Sequence, residues 1–424
     1  MCYAIPAKVT ELKNKVAIVD YFGEHKNVLN EFADLKIGDY VFAQGGIIID
    51  KIPKKEAQEI LTLWQDKFFD LKKIDKTVSQ SSKNELAILQ KINLKKELTK
   101  KELTCLFKLK DRRELKLLYR TANSIRRENH GNACCVHGIL EFSNHCDKNC
   151  LYCGIRCATK IERYRMTVPE IIKAAKFAVK ELGFKALVLQ SGEDSWYDDK
   201  KLETIVRTLR KMNILVFLSI GVRSKQTYKK LFKAGARGVL MRFETSNRKL
   251  FEKMRPGTTL EKRLSLIKFL KRTGYLIATG FLIGLPDETE QDVINNIFLT
   301  KSLAPDMYSF GPLIPAKGTP LENQKIIDET TILKIIALTR LLDRNSNILV
   351  TSAMETLNPD AKKNGLMAGA NSLMINATPE NYKKLYKLYP RKSNKNLKAN
   401  IKETISLLYS LGRAPADLGI TTIK

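Results

Sequence analysis

The spacing of apolar positions divides the chain into two stretches of different period. Over residues 1–76, short runs alternate apolar and polar side chains and break at turn residues. Ala7 to Thr10, Val16 to Tyr21, Asn27 to Asn30, Tyr40 to Ala43 and Gly46 to Ile52 read as strands, and Gly38-Asp39 marks a turn. The period becomes helical over Lys54 to Asp70. Several short strands followed by one helix predict a small all-β barrel of OB-like type with a C-terminal helix. The polar, serine-rich run TVSQSSKN at 77–84 reads as a linker.

Two helices ending near Asn129 then lead into a long alternation. Apolar strands are expected at Ile139 to Ser143, Ala186 to Ser191, Leu215 to Gly221, Gly238 to Glu244, Leu276 to Gly284, Met307 to Leu313, Ile348 to Met354 and Ser372 to Asn376. Amphipathic helical stretches such as Val168 to Leu182 and Thr289 to Leu303 lie between them. Eight apolar strands, each followed by a helix, predict an α/β fold, a parallel (β/α)8 barrel of TIM type. It would span 85–392 with its N-terminal helices, followed by a helical tail at 393–424. In such a barrel the interior is packed, and catalytic groups stand at the C-terminal ends of the strands.

The loop after the first of these strands reads Cys146-Asp-Lys-Asn-Cys150-Leu-Tyr-Cys153. Three closely spaced thiolates can hold three irons of a 4Fe-4S cluster and leave the fourth open to another ligand. That is the logic of radical S-adenosylmethionine (SAM) chemistry, in which the amino and carboxylate groups of SAM chelate the open iron. Structural zinc would need a fourth thiolate or a His, and Cys157 and His145 are near. A disulfide framework does not suit eight Cys in 424 residues, most of them crowded between 134 and 157. Cys157, Cys134 and Cys135 read as ordinary buried or neighbouring thiols, and no Cys follows Cys157 to bind a second cluster.

The other strand ends carry polar groups. The second ends Gln190-Ser191-Gly192-Glu193-Asp194 and the fourth Arg242-Phe243-Glu244-Thr245. An Arg with two or three carboxylates facing a cavity would suit a zwitterionic amino acid, because the guanidinium can clamp a carboxylate and an acid can bind the ammonium. Structural ion pairs at the barrel rim are the competing reading. Gly280 and Gly284 on the fifth strand would let a flat adenine approach the backbone. Tyr152 could pack on that adenine or belong to the core.

Charge changes the picture little. The net charge is +29, and residues 1–76 contribute nothing to it, with 12 basic against 12 acidic side chains. The excess is scattered over helix faces as Lys, without an Arg and aromatic platform, so nucleic acid is a poor expectation. It reads as a solvated surface able to attract an anionic substrate or an acidic partner. No apolar run reaches the roughly 18 residues of a membrane span, and Met-Cys-Tyr-Ala-Ile-Pro lacks the layout of a signal peptide. A soluble, reducing, cytoplasmic setting is expected, which suits an oxygen-sensitive cluster.

The blocks EFSNHCDKNCLYCGIR, RYRM, LQSGED, RFETSN, KMRPGTTLEKRL, GPLIPAKGTPL, TSAMET, GANSLMIN and KLYP, spread from Glu141 to Pro390, resemble the HydE family of radical-SAM maturases of FeFe hydrogenase. The cousins biotin synthase and methylornithine synthase match the later blocks less well. The resemblance implies that Cys146, Cys150 and Cys153 ligate one 4Fe-4S cluster. It further implies that Ser191, Gly192 and Glu193 receive the amino group of SAM, and that Arg242 and Glu244 hold its polar groups. Gln190, Thr351, Ser352 and Met374 would line a deeper cavity for a cysteine-derived iron complex carrying CO and cyanide. An electron donor such as ferredoxin or flavodoxin, and other hydrogenase maturation proteins, are the implied partners. Val222 stands where the family typically shows an acid, and Phe243 where it often has His.

MCYAIPAKV, VAIVDYFG, GDYVFAQGG and KKEAQEIL resemble the HypC/HupF family of NiFe-hydrogenase assembly chaperones. There the Cys after the initiator Met, Cys2 here, carries an iron with cyanide and CO ligands; the family commonly has His where this chain has Gln44. The two modules together imply that the small domain holds or relays an iron fragment and that the large one acts by radical chemistry in assembly of the di-iron centre. The rivals are a radical-SAM mutase or sulfur-inserting enzyme on an amino acid, and a non-enzymatic assembly scaffold.

Overall fold

A computed structural model describes residues 5–79, 97–390 and 396–416. Cys2, residues 80–84 of the expected linker, 85–96 and 391–392 of the expected barrel domain, and 393–395 and 417–424 of the expected tail lie outside the described residues. Near the N-terminus, β1 (Ala7–Lys13), β2 (Val16–Tyr21), β3 (Glu24–Leu29), β4 (Tyr40–Gln44) and β5 (Ile47–Ile52) close into a barrel in the order β1-β2-β3-β5-β4. Period-2 alternation turns Val9, Ala17, Val19, Val28, Val41 and Ala43 inward, and Phe68 of the following helix Lys54–Val78 closes one side of this core. That helix runs past Asp70, so the first residues of the expected linker are helical.

The second barrel is built from β6 (Cys135–Ser143), β7 (Ala186–Ser191), β8 (Leu215–Ser219), β9 (Gly238–Leu240), β10 (Leu276–Thr279), β12 (Met307–Tyr308), β14 (Asn347–Val350) and β15 (Ser372–Asn376). All eight run parallel, and β9 pairs with β10 to close the sheet, as the alternation of strands and helices predicts. Most of its helices start at side-chain caps: Thr167 with Glu170 and Thr289 with Asp292 form reciprocal capping boxes. No helix among the described residues is long and apolar enough to cross a membrane.

The fourth, fifth and sixth strands are shorter than their apolar runs. The fourth stops at Leu240, and Glu244 beyond it takes a left-handed φ of 66° that no regular strand accommodates. Beyond Gly280, whose backbone lies against the Ser309 carbonyl, the chain forms β11 (Leu282–Ile283), which pairs with β13 (Gly311–Pro312) outside the barrel. The seventh run leaves the sheet after Val350 and passes into a 3-10 turn over Ser352–Thr356. These departures widen the mouth and turn polar side chains into it.

The small barrel sits on the base of the large one. Phe42, Ile47, Ile49 and Ile52, on the outer face of β4 and β5, bury themselves against Ala186 and Leu215 at the start of β7 and β8. The turn between β4 and β5 is Gly45-Gly46, with φ of 58° and 79°, and Gly45 approaches the Leu215 side chain closely enough that a Cβ would crowd it. Glu31 adds a 2.6 Å ion pair to Arg237.

A buried ionic latch ties the first helix to the rest. Asp75 accepts two hydrogen bonds from Arg126, at 2.7 and 3.0 Å, and lies 3.2 Å from Arg413 Nε. Burial pushes the Arg413 guanidinium down to about 9, yet it stays charged at neutral pH. Truncating the shared partner would leave two buried cations, so Asp75→Ala should lose roughly 3–5 kcal/mol of stability. Equilibrium urea denaturation of the full chain reads this directly; a change below about 1 kcal/mol, the range of exposed pairs, would refute the latch.

Candidate active site

Past Ser143 the chain leaves β6 and enters the loop of Cys146, Cys150 and Cys153. All three thiols are free, and Cys150 is buried. Burial pushes each of them up, Cys153 to about 12, so these thiols ionise readily only against a cation. Arg163, from the RYRM block, holds the loop in shape by donating to the carbonyls of Asn144, Ile155, Arg156 and Thr159 at 2.6–2.9 Å. Gly154 lies against the backbone of Lys387 and Leu388, where a side chain has no room, and its N–H donates to the Leu388 carbonyl. Among the described residues no three His, Cys, Asp or Glu side chains converge on a single ion. A cubane is wider than an ion, so its three ligands surround it rather than meet.

The end of β7 presses on this loop. Gly192 approaches the His145 carbonyl and the Cys146 side chain so closely that any Cβ would collide with both. Ser191 Oγ donates to the Gly192 carbonyl at 2.7 Å. Asp194 is a structural ion pair: burial raises its carboxyl, but hydrogen bonds from Arg165 and Ser143 outweigh that and hold it low.

Glu193 points instead into a buried charged group. Arg255 donates to Glu193 Oε1 at 3.3 Å and to the Tyr152 hydroxyl at 3.0 Å, and lies 3.9 Å from Glu244. Arg263 lies 3.9 Å from Glu193, and Arg242 pairs with Glu244 at 3.4 Å. Gly221 packs on the Glu193 side chain, which a Cβ would strike. Arg255 Nε is buried with no hydrogen-bond partner; Glu244 Oε2 has only the 3.4 Å ion pair to Arg242, and Glu193 Oε2 only Lys148 at 3.9 Å, neither of them a hydrogen bond. Carboxylate and guanidinium atoms that are ion-paired but short of hydrogen bonds, gathered in one place, fit a zwitterionic ligand with an ammonium and a carboxylate.

Beside this group a cavity of about 200 Å³ opens within the barrel mouth. Gln190, Thr351, Ser352 and Met374 line it together with Tyr152 and Arg242, so six residues expected at the site from sequence converge there. Gln190 accepts from Ser219, Ser352 shares a 2.8 Å hydrogen bond with the Tyr389 hydroxyl, and Thr351 Oγ1 is buried without a partner. Tyr152 packs with Leu250, Met254 and Leu313, as the core reading expects, and also lines the cavity. Gly284 lies outside the cavity lining; its N–H donates to Glu288 and a Cβ there would meet Ile327. Phe243 is fully buried against Phe281, and Val222 is 43% exposed, so neither lines the cavity.

Several participants escape the sequence reading. Arg255 and Arg263 sit in the KMRPGTTLEKRL block but carry no spacing signal of their own. Glu141, which accepts from Asn376 at 2.8 Å, lines the cavity from a position that reads as ordinary strand. Arg163 is likewise invisible until its four carbonyl partners are brought together.

Arg163→Ala should weaken iron loading of the three-cysteine loop by about tenfold or more, the scale of one or two charged hydrogen bonds, with the helical far-UV signal unchanged. Full iron after anaerobic reconstitution would argue against the clamp. Burial raises Glu288 to about 7, so its protonated form is favoured in the folded state. Its contribution to stability is complete below about pH 4.3, the unfolded carboxyl value, and is lost as pH rises through 7. Glu288→Gln should therefore flatten the fall in denaturation midpoint between these limits; an unchanged slope would contradict the assignment.

Comparison with known proteins agrees with this geometry. Residues 140–299 match the model of the Radical SAM superfamily, residues 1–64 that of the HupF/HypC family, and residues 309–413 that of the Biotin and Thiamin Synthesis associated domain. The chain is 42% identical over 306 residues to the [FeFe] hydrogenase maturase subunit HydE of Thermotoga maritima, covering 72% of this chain and 87% of that protein. It is 30% identical over 323 residues to 3-methylornithine synthase of Methanosarcina acetivorans, covering 76% and 91%. The crystal structure of methylornithine synthase superposes with a TM-score of 0.71 at 27% identity, over 78% of this chain and 98% of that one. The chain thus belongs to the radical SAM superfamily as a homologue of the HydE maturase, with a HupF/HypC family domain at its N-terminus.

Proposed function

We propose that this protein is a cytoplasmic maturase that cleaves SAM reductively to act on an iron–cysteine complex during assembly of the hydrogenase di-iron centre. The observation that carries the reading is the buried group of Glu193, Glu244 and Arg255, whose polar atoms lack hydrogen bonds and which joins, through Tyr152 and Arg242, the cavity of Gln190, Thr351, Ser352 and Met374. Cys146, Cys150 and Cys153 would hold one 4Fe-4S cluster. When bound, the cluster would supply one electron for reductive cleavage of the SAM sulfonium.

The chain's own residues do the positioning. In this reading Glu193 receives the ammonium of SAM, with Ser191 and Gly192 shaping the backbone beside it, while Arg242 and Glu244 hold its remaining polar groups. Arg255 keeps both carboxylates aligned, and its contact with the Tyr152 hydroxyl fixes the ring at the cavity edge. The apolar packing of that ring excludes water from the reacting end. Gln190, Thr351, Ser352 and Met374 would receive the substrate. The Lys-rich surface suits an acidic electron donor such as ferredoxin or flavodoxin. Cys2, through its thiol, would carry or relay the iron fragment with its CO and cyanide ligands.

The anaerobically reconstituted, reduced full chain should release 5'-deoxyadenosine from SAM, and Cys150→Ser should release none. A cluster-loaded wild type that releases none is a scaffold and not an enzyme. With SAM, a reductant, an iron–cysteine complex and the other maturation proteins supplied, hydrogenase lacking its di-iron centre should gain activity only when this protein is added. Turnover of a free amino acid in place of that restoration would support the mutase suggested by the 30% identical relative. Cys2→Ala should lower retained iron and maturation together; no effect on either removes the relay while leaving the radical reading standing.

A further inference from the structure

The base of the large barrel, opposite the mouth, holds a second group of metal-capable side chains. Cys135 and His137 are alternate residues of β6, so the strand's period of two turns both toward the barrel interior. The small barrel contributes Gln44, the last residue of β4, held there by the Gly45-Gly46 turn. All three are buried, at 5%, 5% and 1% exposure, and all three line one cavity of about 30 Å³ with Ala186, Val188 and Met307. Cys135 Sγ lies 3.7 Å from His137 Nδ1 and 3.6 Å from the Gln44 side-chain amide.

Those separations are informative. Two ligands of one tetrahedral ion, with metal–sulfur near 2.3 Å and metal–nitrogen or metal–oxygen near 2.0–2.1 Å, stand about 3.6 Å apart. Sulfur sits at that distance from both of its neighbours. The amide oxygen and nitrogen of Gln44 are interchangeable by a flip of the terminal group, so its oxygen can take the position facing the sulfur. One thiolate, one imidazole and one amide oxygen make a borderline donor set that suits a divalent ion such as Zn2+ or Fe2+. The cavity leaves space for one further small ligand, about the size of a water molecule. Each barrel alone holds only part of the set.

We propose that Cys135 and His137 of the large barrel and Gln44 of the small one form a binding site for a single divalent metal ion at the interface, separate from the cluster at the mouth. This inference stands apart from the radical reading, and its test reads bound metal and not activity. The full chain with its cluster loaded is equilibrated with Zn2+, desalted, and assayed for zinc and iron by mass spectrometry. Wild type should retain one zinc per chain. Cys135→Ala and His137→Ala should each weaken zinc retention by tenfold or more with cluster iron unchanged, whereas Gln44→Glu, which keeps an oxygen ligand, should retain zinc.

Because a cavity at the interface could itself disturb folding, the near-isosteric Cys135→Ser is compared by thermal melting. Zn2+ should raise the midpoint of wild type and leave that of Cys135→Ser where it was. Equal zinc retention in wild type and in a Cys135→Ala, His137→Ala double variant would overturn the site. So would a folded, cluster-loaded wild type that retains no zinc, since the thiol, imidazole and amide would then be a hydrogen-bonded packing contact only.

Discussion

Hydrogen bonds from β9 to β10 and from β15 to β6 close the large sheet, and a closed parallel sheet has no edges, only two ends. Everything that distinguishes this molecule is distributed between those ends. At one, the strands deliver the cysteine loop, the Glu193–Arg255–Glu244 group and the substrate-sized cavity within reach of one another. At the other, the starts of β7, β8 and β10 present a ring of apolar side chains that the small barrel covers. Parallel direction fixes which end does which, because each crossover returns the chain to the base before the next strand rises.

The mouth is organised by unequal treatment of its charges. Asp194 is fully engaged by Arg165 and Ser143 and belongs to the scaffold. Glu193, one residue earlier, is held by Arg255 at 3.3 Å, while its other oxygen makes no hydrogen bond and has only Lys148, at 3.9 Å, as a partner. Neighbours in sequence thus divide into a structural carboxylate and an available one. Burying such a group costs free energy unless a partner completes it, which is the physical sense in which the pocket is built for a charged ligand. Glu244 reaches the same place through a strained left-handed backbone, the kind of local cost that tends to persist where a side chain must be aimed.

Much of this was legible in the sequence because its signals are local. The spacing of the three cysteines, the period-2 runs and the turn residues each lie within one short window, and the barrels and the loop follow from them. Gln190, Arg242, Thr351, Ser352 and Met374 were reached through motif resemblance, and the cavity gathers them. Windows cannot hold relations between distant residues. Arg163 matters for carbonyls that any sequence would supply, and Arg255 matters because it meets Glu193 and Glu244 from another segment. Cys135 reads as a plain core thiol until Gln44 is folded against it from 91 residues away. At Gly284 the glycine accounts for a close approach of Ile327, again a residue distant in the sequence.

The Asp75 latch changes what kind of object the chain is. An eight-residue linker suggests two modules on a tether, free to be cut apart. The first helix instead threads its carboxylate between Arg126 and Arg413, and Ala416 near the far end of the chain packs into the core of the small barrel. Separated halves would each carry a wound: one an uncovered patch of Phe42, Ile47, Ile49 and Ile52, the other two interior guanidinia without their anion. Such fragments would aggregate or misfold for reasons unrelated to their chemistry, so the native unit for biochemical dissection is the whole polypeptide, altered one side chain at a time.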